Sequence, residues 1–422
     1  MLTSQILLQL IVILLVVQFF GYLARFIGQQ WVVGEILAGL ALGPSLLGHF
    51  LPGMEQTVFP ISALPTLQTL GDIGLILYMF SLGANIDIHL MVRQSRKAGA
   101  VSVCSIALPL IMGAVLAYFL FPDLAGANAT LFSFMFLVGT AISLTAFPVL
   151  ARILTERDML NTQLGTLALT SAAANDIIAW CLLALIIAIV HASGTASALI
   201  TIGVTFLFIG VMIAGIRPLL LLIDRRIPSK PLILAITVIL LLLSAYTTSV
   251  IGVHPVLGAF MMGIIVPRKT LFIDLVHSID KTNGLLFLPL YFVYTGLRTQ
   301  LGLISSPTMW LICLVVLVVA CSGKIFGAAF SARMFGDSWK EALGLGMLMN
   351  ARGLVGLIVL NIGLDLGVLS PTLFTILMLM AVLTTMLASP VLPLLGYGQK
   401  RQINKKITRV LDKDAEGQVI TN

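Results

Sequence analysis

The 422 residues are 59% hydrophobic and 10% charged, with a formal net charge of +7. A soluble domain carries about 25% charged residues, so this chain cannot cover a globule in water, and its long, unalternated apolar runs exclude a β-barrel. Lys and Arg fall in short loops between apolar spans, which argues against nucleic acid as a partner, and the four cysteines, Cys104, Cys181, Cys313 and Cys321, sit inside apolar spans without metal-type spacing and read as inert buried thiols.

A membrane helix needs about 20 largely apolar residues. On that criterion the chain divides into about thirteen spans, at approximately 5–24, 31–47, 63–83, 98–120, 130–151, 163–190, 197–217, 231–249, 251–267, 284–300, 307–332, 342–362 and 371–396. The first has no basic residue before it and no small-residue cleavage site, and reads as a helix rather than a removable signal peptide. One set of loops carries Arg25; Arg93, Arg96 and Lys97; Arg152 and Arg157; Arg217, Arg225, Arg226 and Lys230; Arg268, Lys269 and Lys281; Arg333 and Lys340. The other set carries only Arg298. The positive-inside rule then places the chain in the cell membrane with the N-terminus outside and the C-terminus in the cytoplasm. Residues 1–397 form the transmembrane domain, and 398–422 a short basic tail.

Span two contains Glu35 at a helix start, favoured there by the dipole, and the small-residue stretch Leu37 to Gly43. Span three carries Asp72, read as lying towards its start, then Leu77-Tyr78 and Gly83. Span nine repeats the small-residue pattern at Leu257 to Gly263, after His254-Pro255, and span ten repeats Leu290-Tyr291 and Gly296. An offset of seven spans reverses a helix, so two six-span halves around span seven are expected to be inverted repeats, with the ion site where broken helices meet near the midplane. Glu35 and Asp72 read as structural, and His254 as a helix-terminus residue.

Span five holds Ser143-Leu144-Thr145-Ala146-Phe147-Pro148. Pro148 removes a backbone hydrogen bond, and the result is either an ordinary kink or an opening at which Ser143 and Thr145 offer hydroxyl oxygens. Span six carries Asp176 beside Asn175 after the small run Ser171 to Ala174. A charge at the bilayer centre costs about 2.5–3.5 kcal/mol on insertion scales, and a carboxylate there holds either a proton or a small hard cation. In span eleven Lys324 either snorkels to the cytoplasmic surface or faces the site and partners a polar group of span six. In span twelve Arg352, in Asn350-Ala351-Arg352-Gly353, is a fixed charge suited to balance the carbonyl end of a broken helix.

At these residues the sequence resembles the monovalent cation–proton antiporters, in the branch of the plant cation/proton exchangers and the bacterial glutathione-gated potassium efflux proteins. The matching stretches are Val32 to Gly48, Ser143 to Leu154, Ala172 to Trp180, Gly252 to Arg268 and Met349 to Leu366. The resemblance implies a thirteen-helix inverted-repeat fold and a homodimer. Spans four to six and eleven to thirteen would form the moving core, and spans one to three and eight to ten the scaffold. It assigns ion binding to Asp176 and Asn175, and matches Lys324 and Arg352 to the family's basic residues. Electrogenic relatives carry two aspartates where this chain has Asn175 and Asp176. Branch members often carry glutamate where Gly356 and Asn85 stand here. The nucleotide-binding domain of the potassium efflux proteins has no counterpart in this sequence.

The expected activity is exchange of sodium or potassium for protons by alternating access, electroneutral at one for one, with membrane lipid around it, no cofactor and no enzymatic chemistry. A gated cation channel, or a cation or pH sensor on a transporter fold, is the alternative; no filter sequence is present.

Overall fold

The computed structural model describes residues 2–29, 31–85, 95–156, 159–160, 162–191, 195–226, 229–267 and 270–394. Arg93, Arg157, Arg268, Lys269 and the 398–422 tail lie outside the described residues. The fold is helical. Its elements are α1 (Leu2–Phe26), α2 (Trp31–Leu42), α3 (Leu47–Phe50), α4 (Pro52–Val58), α5 (Leu64–Asn85) and α6 (Ser95–Leu124). Next come α7 (Leu131–Ser143), α8 (Phe147–Glu156), α9 (Gln163–His191), α10 (Thr195–Val211), α11 (Arg217–Arg226), α12 (Lys230–Ile251) and α13 (Pro255–Ile265). The last are α14 (Thr270–Leu285), α15 (Phe287–Leu297), α16 (Pro307–Met334), α17 (Trp339–Met349), α18 (Leu354–Asp365) and α19 (Pro371–Leu394). Among the described residues eight helices are long and apolar enough to cross a membrane, and shorter apolar helices cover 131–143, 255–265, 355–365 and 371–387.

Two spans are broken. The helix expected over 130–151 stops at Ser143, runs extended through Leu144, and restarts as α8 at Phe147, with Pro148 in its first turn. A proline is tolerated there because the first helical N–H groups have no intrahelical acceptor. The break therefore precedes Pro148 rather than forming a kink at it. Span twelve breaks between Met349 and Leu354. The two breaks cross, because the Ala146 amide donates to the Ala351 carbonyl at 3.0 Å. A Cβ on Gly353 would lie 2.6 Å from Val149 Cγ2 and 2.9 Å from Ala146 Cβ. Glycine is what allows this approach.

Three boundaries differ from the sequence reading. Span ten, expected from near 284, is α15, but the connection before it is itself a helix, α14 from Thr270, so Lys281 lies in a helix and not in a loop. This helix buries Phe272 and Val276 and exposes Asp274 and His277, an amphipathic pattern that a criterion of continuous apolar length passes over. Span seven continues past 217 through a π-helical turn at Met212–Ile216 into α11, which takes in Arg217. Two short helices, α3 and α4, occupy the connection after α2.

The small-residue faces pack within the chain. A Cβ on Gly39 of α2 would lie 2.5 Å from the Val293 carbonyl of α15, and one on Gly263 of α13 would lie 2.1 Å from the Phe80 carbonyl of α5. These faces therefore bring backbones together inside the protomer. The largest buried apolar cluster is continuous across the protein, joining α2, α5, α13 and α15 to α6, α7, α9, α18 and α19, and two smaller clusters lie beside it. One of these joins Ile13, Ala38, Leu67 and Leu290 of α1, α2, α5 and α15. The other joins Val101, Leu150, Ala172, Ala328 and Leu345 of α6, α8, α9, α16 and α17.

Candidate functional site

The site forms where α6, α9 and α16 surround the crossing of the two breaks. At the end of α7 the last carbonyls of the half-helix lose their intrahelical donors. Two cations answer them. Lys324 of α16, fully buried, donates Nζ to the Ser143 carbonyl and, at 2.9 Å, to the Ser105 carbonyl of α6. Arg352, between α17 and α18, donates to the Ala141 carbonyl and to the Ala320 carbonyl of α16, both at 3.2 Å. Positive charge at a helix C-terminus is favoured by the macrodipole, so both residues hold the broken end of α7.

Lys324 does not snorkel: it faces the site, its ammonium bonded to backbone carbonyls and acting electrostatically on Asp176 of span six. Ser143 differs as well. Its hydroxyl turns back to the Thr140 carbonyl at 2.9 Å, and its own carbonyl is the atom that faces the site. A serine in a last helical turn readily makes this local bond.

Asn175 is held on all sides. Its Oδ1 accepts from Ser102 Oγ at 2.5 Å, and its Nδ2 donates to Ser105 Oγ and Thr145 Oγ1, each at 3.1 Å. Thr145 Oγ1 donates in turn to the Met349 carbonyl at 2.9 Å. Asn175 therefore ties α9 to α6 and, through Thr145, to both breaks. Ser102 and Ser105 did not figure in the sequence reading. Their signal was present: two hydroxyls at i and i+3, hence on one face, in an otherwise apolar helix.

Asp176 is fully buried, and among the described residues no side chain donates a hydrogen bond to either of its carboxylate oxygens. Two groups act on it electrostatically, the Phe147 backbone amide at the start of α8 and the Lys324 ammonium. A helix N-terminus favours an anion. Yet a buried carboxylate with no side-chain donor is costly unless it is protonated or binds a cation. Tyr78 shares the field of Asp176 with Glu35 and Asp280; Glu35 is itself buried. His254 caps α13, its Nδ1 accepting from the Val256 amide at 3.4 Å, as a helix-terminus residue does.

Residues 11–396 match the family model described as sodium/hydrogen exchanger, transmembrane. The chain is 39% identical over 391 residues to the Na(+)/H(+) antiporter NhaS4 of Synechocystis, covering 91% of this chain and 95% of that one. It is 37% identical to cation/H(+) antiporter 18 of Arabidopsis thaliana and 33% identical to K(+)/H(+) antiporter 1 of Saccharomyces cerevisiae. These matches cover 91% and 86% of this chain, but 48% and 43% of those longer proteins. Among solved structures, the sodium proton antiporter MjNhaP1 of Methanocaldococcus jannaschii superposes with a TM-score of 0.69 at 17% identity, covering 93% of this chain and 96% of that one, which establishes a shared fold. The chain belongs to the transmembrane sodium/hydrogen exchanger family.

Proposed function

We propose that this protein is a secondary active antiporter exchanging a monovalent cation, sodium or potassium, for protons by alternating access. The observation that carries the reading is Asp176, a buried carboxylate to which no side chain among the described residues donates, set where two helices break and cross. A carboxylate in that position binds a proton or a small cation in turn, and each excludes the other. Asn175 and Thr145 supply further side-chain oxygens, while Lys324 and Arg352 hold the opening in shape.

The finer reading counts thirteen spans, taking the paired half-helices as single spans, in two inverted repeats. In support, repeat-related pairs make the same contact: α2 packs on α15 through Gly39, and α13 on α5 through Gly263. The scaffold is spans one to three and eight to ten, and the core spans four to six and eleven to thirteen; the two smaller apolar clusters each fall within one unit, while the largest bridges them. The cytoplasmic side is that of the basic loops, in a cell membrane. A homodimer belongs to the reading through family resemblance, with the exposed apolar side chains of α1, such as Leu15 and Phe19, as available surface for partner or lipid.

Purified protein in liposomes with a trapped pH dye, given sodium, potassium or lithium in turn, tests the function. Cation-dependent proton flux that saturates is expected; proton flux independent of any cation would overturn the reading.

A further inference from the structure

Away from Asp176, a second polar cluster sits between α5, α15 and α18. Arg298, at the C-terminus of α15, pairs with Asp365 of α18 at 2.7 Å and donates to Asn361 Oδ1 at 3.3 Å. Asn361 Nδ2 donates to Thr295 Oγ1 of α15 at 2.9 Å. The guanidinium also lies over the ring of Tyr294, its own helix neighbour, and 6.0 Å from that of Phe374 on α19. Near by, the Gln300 amide donates to Thr375 Oγ1 of α19 at 3.2 Å. Apart from the Tyr294 ring, these contacts join the α15 region to α18 and α19.

A small cavity opens beside this pair, and Arg298, Asn361 and Asp365 themselves line it. Asp72 of α5, Tyr291, His254 and Ile358 are among its walls. Asp72 lies in the field of both Arg298 and Asp365. One cation therefore acts on two carboxylates, both of which line the cavity. Asp72 and Arg298 stand on α5 and α15, which pack closely together, whereas Asp365 stands on the broken helix that also carries Arg352.

We propose that Arg298 is a partner-switching positioning residue: paired with Asp365 and Asn361 it seals this face of the protein, and when the broken-helix unit moves away it transfers to Asp72. The proposal rests on the alternating-access reading above. It explains a carboxylate placed opposite an ion pair that is already complete. Without Asp72, opening would strand a guanidinium in a partly buried crevice, and removing one partner from a charge pair costs more than the pair contributes. With Asp72 the guanidinium is matched in both arrangements, so the barrier between them is low. Each state is set by a different carboxylate, and the two substitutions must push the protein in opposite directions.

The test places a cysteine at Ile358, buried in the cavity wall, in full-length protein whose four native cysteines are replaced. A membrane-impermeant thiol reagent is applied from each side of the membrane, and exchange is measured in parallel. Asp365→Asn raises the labelling rate from the Arg298 face by roughly three- to tenfold, the loss of one charge-assisted contact at a half-exposed site. Arg298→Lys keeps the charge, loses the fork, and shifts labelling the same way. Asp365→Glu restores the parent rate, and Asp72→Asn lowers it. Unchanged labelling in both Asp365→Asn and Arg298→Lys, or a rise in Asp72→Asn, overturns the switch. The labelling is independent of transport, so a parent protein that exchanges nothing defeats the functional reading and not this one.

Discussion

The Thr145 hydroxyl donates to the Met349 carbonyl at 2.9 Å, so a side chain in the first break satisfies a backbone group that the second break leaves open. The same hydroxyl accepts from Asn175. Each broken helix supplies what the other lacks, and the polar residue beside Asp176 is fastened to both.

Asp176→Asn is expected to keep the fold, because the change is nearly isosteric and the native carboxylate makes no side-chain bond to lose. Exchange should fall to background. Cation-driven proton flux in liposomes at matched protein content checks this, and rates equal to the parent would refute the assignment.

Transport is expected to be electroneutral. Asp176 is the one carboxylate of the pair, and Asn175 releases no proton. Lys324 is bonded to two carbonyls rather than to an aspartate, the arrangement of a fixed charge. Each net charge moved would be worth about 2.3 kcal/mol per 100 mV, so an electrogenic cycle would respond strongly to potential. Sodium–proton exchange under an imposed valinomycin–potassium potential should run at the same rate for either sign. Acceleration by one sign, lost in Lys324→Gln, would instead make the lysine a second proton carrier.

Removing the hydroxyls on α6 should weaken cation binding without unfolding the protein. Ser102→Ala leaves Asn175 Oδ1 without its donor, and an unsatisfied buried group costs about 1–3 kcal/mol. A rise in the half-saturating cation concentration of several-fold, with the maximal rate less affected, is the expected result. An unchanged concentration dependence would show that the positioning of Asn175 does not reach the ion.

Gly263→Ala should destabilise, since its Cβ would meet the Phe80 carbonyl at 2.1 Å and overpacking typically costs about 1–3 kcal/mol. Gly203→Ala is the control, with nothing within 4 Å of the added atom and a better helix former in place. Melting temperatures in detergent should fall for the first and hold or rise for the second. Equal melting temperatures would remove the close-packing argument.

What the sequence determined by itself follows from local rules. Apolar length marks most helices, because lipid offers the backbone no hydrogen-bond partner. Asp176 stands out because a lone carboxylate in an apolar span is costly wherever the rest of the chain goes, and Pro148 and Gly353 mark the two breaks. Tertiary structure decided the partners. Lys324 and Arg352 were legible as buried cations, but only the crossing of the helices shows that they cap the end of α7. Ser143 was legible as an oxygen source, yet which of its oxygens faces the site depends on the turn it terminates. Ser102 and Ser105 became visible once α6 lay against Asn175, and the glycine faces of α2 and α13 were committed to α15 and α5. Periodicity and composition act along the chain, whereas hydrogen bonds and close packing act between segments far apart in it, and no residue names the segment that will arrive opposite.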